Sequence, residues 1–171
     1  ARGLGGMGGG LGGGPAVLAL LAPLGSESRL NRLFSLGTCL GTEAGRAVDV
    51  DYERTYALVA IAGLDRGIVA HAAYYAKPEG PAEVAWVVAD DWQGKGLGTL
   101  LLAHLAEHAE SRGIGSFVAY VLPENHRMVD VLRESGFPLL GSRTVGQVVF
   151  EFPTSLSAAA RDRFDRRERV A

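Results

Sequence analysis

Gln93-Gly94-Lys95-Gly96-Leu97-Gly98 stands between an apolar run that ends at Ala89 and a leucine-rich helical pattern that begins at Leu97. Three glycines alternate where a strand hands over to a helix, so backbone N–H groups at the helix start lie open to a ligand. Such groups lack intrahelical partners and carry the positive end of the helix dipole, which suits them to phosphate. The stretch predicts a strand, a phosphate-binding loop and a helix in succession.

Upstream, residues 55–62 and 67–76 are rich in Val, Ile, Tyr and Ala, and Leu64-Asp65-Arg66-Gly67 between them is turn-like, which predicts a β-hairpin. A second turn over 78–81 and an apolar run over 82–89 add a third antiparallel strand leading into the loop. Downstream, Leu97, Leu100, Leu101 and Leu105 recur at helical spacing as far as the stop at Arg112-Gly113. A strand over 115–121, a helix over 125–135 ended by Gly136, and a last strand over 147–152 follow.

Residues 26–34 read as a short amphipathic helix with Ser26 as N-cap. The glycine-rich residues 1–14 read as a flexible leader, 15–153 as one domain, and 154–171 as a charged tail, either a solvated helix or a frayed terminus. A first strand ahead of the Ser26 helix has only residues 15–23, bounded by two prolines, to draw on. The order is a mixed α/β plan without the βα alternation of a doubly wound fold.

At 171 residues, 47% hydrophobic and a net charge of -2, the chain fits one domain with a proper core. That balance points away from nucleic acid and anionic membrane. The longest apolar run, residues 16–22, is too short to span a bilayer. Cys39 is the single cysteine, which excludes an internal disulfide and suits a reducing cytoplasm.

The loop's spacing separates three ligand readings. A dinucleotide fingerprint needs G-x-G-x-x-G after the first strand of a βαβ unit and an acid about 20 residues on. Here the pattern is G-x-G-x-G after an antiparallel meander, with Tyr120 and Val121 where the acid belongs. A Walker loop, G-x-x-x-x-G-K-[ST], is absent. Coenzyme A remains, or no ligand.

Gln93, Gly96 and Gly98 match [Arg/Gln]-x-x-Gly-x-[Gly/Ala], and Asn125 with Gly136-Phe137 opens and closes the second helix in register with it. This pair resembles the GNAT superfamily of N-acetyltransferases over roughly residues 26–152. The resemblance implies a twisted, mostly antiparallel sheet flanked by helices, with a V-shaped splay for acetyl-CoA and no metal. It implies pyrophosphate on the N–H groups of Gln93, Gly94, Lys95, Gly96, Leu97, Gly98 and Thr99. Pantetheine would run alongside Val87, Val88 and Ala89, with Asn125 near the cofactor as well as capping its helix.

Ser26-Glu27-Ser28-Arg29, Val50-Asp51-Tyr52, Asp90-Asp91-Trp92-Gln93 and Leu122-Pro123-Glu124-Asn125-His126-Arg127-Met128 look like the catalytic domain of bacterial protein lysine acetyltransferases. That likeness implies a fused regulatory domain and a protein substrate with a reactive lysine, an acyl-CoA synthetase. The alternatives are acetylation of a small amine and a non-catalytic acyl-CoA sensor.

Acetylating lysine requires a neutral amine, and with a pKa near 10.4 only about one in 10³ is neutral at pH 7. Glu83, at the start of the strand that leads to the loop, is the candidate general base. The Val88 N–H is the candidate donor to the developing oxyanion. The family often places a tyrosine seven residues after the Asn, where this chain has Leu132. His104, Glu107 and His108 match H-x-x-E-H but lack an evident third metal ligand, and surface histidines are the plainer reading. Lys95 and Arg127 read equally as phosphate contacts or as solvated charge.

Overall fold

The computed structural model describes residues 3–6, 54–62 and 67–168. Strands β1 (Gly3–Gly6), β2 (Thr55–Ala62), β3 (Gly67–Tyr75), β4 (Ala82–Val88), β5 (Ser116–Val121), β6 (Leu140–Thr144) and β7 (Gln147–Pro153) form one sheet. Their order is β1-β2-β3-β4-β5-β7-β6. Every neighbouring pair is antiparallel except β4 and β5, which run parallel. Helix α1 (Leu97–Ser111) connects those two, as a parallel pair requires. Helices α2 (His126–Ser135) and α3 (Ala158–Glu168) follow β5 and β7. The expected mixed α/β plan with a mostly antiparallel sheet is the fold observed.

The apolar stretches form strands because both sheet faces are buried, so they read as near-continuous runs rather than alternating ones. On one face Leu58, Ala60, Ala72, Tyr74, Val84 and Trp86 meet Leu97, Leu101 and Leu105 of α1. On the other, Ala57, Val59, Ala73, Ala85 and Val87 are buried as well. The α1-side core continues through Leu132 of α2 into Phe117, Phe137 and Phe152, whose rings lie 5.3 to 5.9 Å apart. Among the described residues no helix is long and apolar enough to cross a membrane.

Three elements depart from the sequence reading. Gly3–Gly6, expected in a leader without regular structure, pairs antiparallel with β2 over Gly3↔Ile61 to Gly6↔Leu58. A ladder uses backbone groups alone, so an edge strand can form without the side chains that announce one. Among the described residues this segment is the first strand; the expected strand at 15–23 and helix at 26–34 lie outside them. Strand β6 was not anticipated either, because all five of its residues are exposed and only its backbone pairing with β7 defines it. The C-terminal segment is a helix that is solvated on all but one side, since Ala160 and Phe164 are buried and Phe164 packs on Leu100 and Ala103 of α1.

Far from the loop, near the C-terminus of α1, the His108 ring stacks on Tyr56 at 3.5 Å, and its Nδ1 lies 2.9 Å from the Tyr74 hydroxyl. Burial, with the Arg112 charge second, holds the His108 pKa below its ordinary 6.5. Burial also pushes the Tyr74 phenol up to about 12. The neutral imidazole therefore accepts from the protonated phenol. A depressed folded-state pKa means that the unfolded chain binds more protons, so His108 contributes stability above pH about 6.5 that is lost as pH falls through its folded value. The urea midpoint should drop on acidification from pH 7.5 to 5, and His108→Phe should flatten part of that slope; parallel slopes would exclude the effect.

Candidate active site

Strand β4 pairs with β3 over six residues, Glu83↔Tyr75 to Val88↔Ala70, but with β5 only at Ala82↔Phe117 and Glu83↔Val118. Beyond Glu83 the two parallel strands part, while β5 stays paired with β7 from Ser116 to Val121. The sheet therefore opens into a V with Glu83 at its apex and Val88 at its mouth. This is the expected splay.

Alternation along the β3–β4 ladder settles which backbone groups face the opening. The Ala89 N–H donates to the Val69 carbonyl at 2.8 Å, so Ala89 and Val87 turn their backbone polar groups toward β3. Val88 and Trp86 turn theirs the other way, toward the splay. Of the expected trio Val87, Val88 and Ala89, only Val88 turns its N–H into the gap between the arms. Trp86 is a second such position that sequence reading missed, because strand parity depends on which neighbour supplies the ladder.

The glycine loop closes the mouth of the V. A 3₁₀ turn, Asp90–Trp92, leads into it. Gly94 and Gly96 have φ of 70° and 80°, a left-handed backbone that only glycine adopts freely. Gly96 is the N-cap of α1, and no side chain caps that helix end or places acid in its first turn. The N–H groups of Leu97, Gly98 and Thr99 are first-turn donors left for an anion. Nothing lies within 4 Å of where a Cβ on Gly94 would stand, so there is room for one. Gly98 has a different reason to be glycine: a Cβ there would stand 3.2 Å from Trp86 Nε1 and 3.5 Å from Val131, at the close approach of α1 to β4 and α2.

The side chains of the loop are tied to one another. Gln93 Nε2 donates to the Val88 carbonyl at 3.0 Å and to Asp90 Oδ1 at 2.9 Å, while Arg127 donates to Gln93 Oε1. Lys95 Nζ donates to the Asp91 carbonyl at 2.8 Å and sits 4.7 Å from the centre of the Trp92 ring. Both cations flank the helix N-terminus, where their charge adds to the dipole's.

Asn125 is the N-cap of α2, its Oδ1 accepting from the Met128 N–H at 3.1 Å. Asn125→Ala should cost about 1 kcal/mol of stability and Asn125→Asp little, by denaturant titration; equal losses would deny the cap its role. Leu132, at the family's tyrosine position, is fully buried. His104 and His108 engage different neighbours: His104 lies edge-on to Phe164 and 3.9 Å from Glu107, and His108 stacks on Tyr56.

The half-buried Glu83 lies opposite Tyr75 and Val118 on the sheet face away from α1. Val88 lies five steps further along the strand, roughly 17 Å away. The carboxylate at the apex is therefore not in contact with a group held at the Val88 N–H.

Residues 32–137 match the family model described as the Acetyltransferase (GNAT) family. The chain is 34% identical over 95 residues to an acetyltransferase of Pseudomonas aeruginosa, covering 53% of this chain and 50% of that one. It is 32% identical over 90 residues to acetyltransferase Pat of Mycolicibacterium smegmatis, covering 52% of this chain and 27% of that one. The matched region thus spans half or less of these curated relatives. The fold superposes on the GNAT domain of S. lividans PAT with a TM-score of 0.76 at 26% identity, over 88% of this chain and 89% of that one.

Proposed function

Because the chain belongs to the GNAT family of acetyltransferases, we propose that it moves the acetyl group of acetyl-CoA to a lysine ε-amine on a protein. The observation that carries the reading is the splay of β4 and β5 beyond Glu83, with an uncapped helix start at its mouth. One end offers N–H donors to a pyrophosphate; the arms offer backbone to the amides of pantetheine. Asn125 lies at the head of α2, where its amide would also meet the cofactor.

The residues divide the chemistry as follows. Glu83, through water, takes the proton that makes the amine a nucleophile. The amine attacks the thioester carbon, and the Val88 N–H stabilises the negative charge that grows on the acetyl oxygen. The C–S bond then breaks, and coenzyme A leaves as a thiolate that takes up a proton, so no tyrosine acid at position 132 is needed.

The protein acceptor is inferred from the motifs shared with bacterial protein lysine acetyltransferases and from the similarity to Pat. An acyl-CoA synthetase with a reactive lysine is the proposed target, in the cytoplasm where its substrates are made. A regulatory domain on the same polypeptide is part of the proposal and rests on the same shared motifs.

The test supplies acetyl-CoA with purified acyl-CoA synthetases or with a panel of polyamines, aminoglycosides and amino acids, and follows thiol release and acetyl-lysine by mass spectrometry. Acetyl-lysine on a synthetase supports the proposal. Release only with small amines transfers the assignment to those, and binding without release makes the domain a sensor.

A further inference from the structure

Gln93 and Arg127 bridge the open end of the V. The Gln93 loop continues from β4, and Arg127, in the first turn of α2, continues from β5. Arg127 donates to Gln93 Oε1, and Gln93 Nε2 passes a hydrogen bond on to the Val88 carbonyl at 3.0 Å. A chain of donors therefore runs from one arm to the last residue of the other.

The Val88 carbonyl and the Val88 N–H both turn away from β3, as the Ala89–Val69 bond requires. A free carbonyl beside that N–H would set a negative partial charge next to the group that must receive negative charge. The Gln93 amide neutralises it. The same peptide is held at its other end by the 2.8 Å bond from the Ala89 N–H, so its orientation is fixed from both sides. An amide suits position 93 because it can accept from a guanidinium and donate to a carbonyl at once.

We propose that Gln93 is a positioning residue: its carboxamide, anchored by Arg127, saturates the Val88 carbonyl so that an acyl oxygen entering the splay meets the Val88 N–H. The inference deepens the acyl-transfer reading and rests on it.

The experiment binds acetyl-CoA, carrying ¹³C at the acetyl carbonyl, and records its stretch by infrared difference spectroscopy; no acceptor is required. Wild type should lower the stretch relative to acetyl-CoA in water. Gln93→Glu, which cannot donate, should bind acetyl-CoA but lose that shift, and Gln93→Arg, which can donate, should recover it. Arg127→Gln, one step removed, should lose it in part.

In turnover with a lysine acceptor, Gln93→Glu should lower kcat about 10- to 100-fold, short of the 10²–10³ for removing a donor itself, with a smaller change in KM for acetyl-CoA. A wild-type shift in Gln93→Glu, or a raised KM at unchanged kcat, overturns the inference. So does wild-type protein that binds acetyl-CoA without any shift. Wild-type protein that fails to bind acetyl-CoA overturns the acyl-transfer reading itself.

Discussion

Glu83→Gln lowers kcat for lysine acetylation by about 10²- to 10⁴-fold and leaves acetyl-CoA affinity unchanged, the loss expected when a general base is removed. Gln keeps the size and hydrogen-bonding shape of Glu but cannot hold the proton. Affinity is spared because Glu83 sits at the apex of the V, while the glycine loop and Val88 lie at its mouth. Isothermal titration with acetyl-CoA and initial rates of thiol release measure the two effects separately. Rates at low pH add a second readout: if the carboxylate takes the proton, the acid limb of the wild-type profile disappears in the variant. A variant with wild-type kcat excludes Glu83 from proton transfer. One that loses affinity and turnover together shows a structural role, through the strand pairing to Tyr75 and Val118.

Gly136→Ala destabilises the protein by about 3 kcal/mol, which for a chain of this size is roughly 10 °C in Tm. Two costs add. Gly136 ends α2 with φ of 86°, a conformation that costs an L-residue about 1–2 kcal/mol. A Cβ there would also stand 2.9 Å from the Ala160 Cα and 3.0 Å from its nitrogen, a backbone contact that cannot rotate away. Relief requires α3 to shift, at about 1–3 kcal/mol. The docking it disturbs is well defined: Ser157 donates to the Gly136 carbonyl at 3.1 Å and accepts from the Ala160 N–H, and Arg163 donates to the Glu134 carbonyl. Thermal unfolding of Gly136→Ala beside Gly113→Ala makes the comparison clean, because Gly113 shares the positive φ with open space around it. Equal losses would show that strain at the helix end, not the contact with α3, sets the cost.

Gly136 also marks what sequence could and could not tell. A glycine closing an amphipathic pattern announces a helix end, and α2 stops there. Its contact with Ala160 was illegible, because nothing in the charge-dense tail says that Ala160 and Phe164 turn inward. The three glycines of the loop divide in the same way. Their spacing excluded dinucleotide and Walker loops, yet it did not separate Gly94 and Gly96, needed for a left-handed backbone, from Gly98, needed for the approach of Trp86 and Val131. Asn125 was legible as a cap because its partner is three residues away.

The amino-acid sequence by itself determined what local chemistry can determine: the meander, the two helices with their caps and stops, and a glycine loop that leaves backbone N–H groups open at a helix start. Hydrophobic period, capping and glycine placement act over a few residues, so they are written in neighbouring letters. Only the tertiary structure decided that β4 and β5 separate after Glu83, that Val88 rather than Val87 or Ala89 faces the gap, and that Gln93 spans from Arg127 to the Val88 carbonyl. Each of these joins residues distant in the chain or depends on which strand lies alongside, and the register of one strand against another is set by packing across the whole sheet.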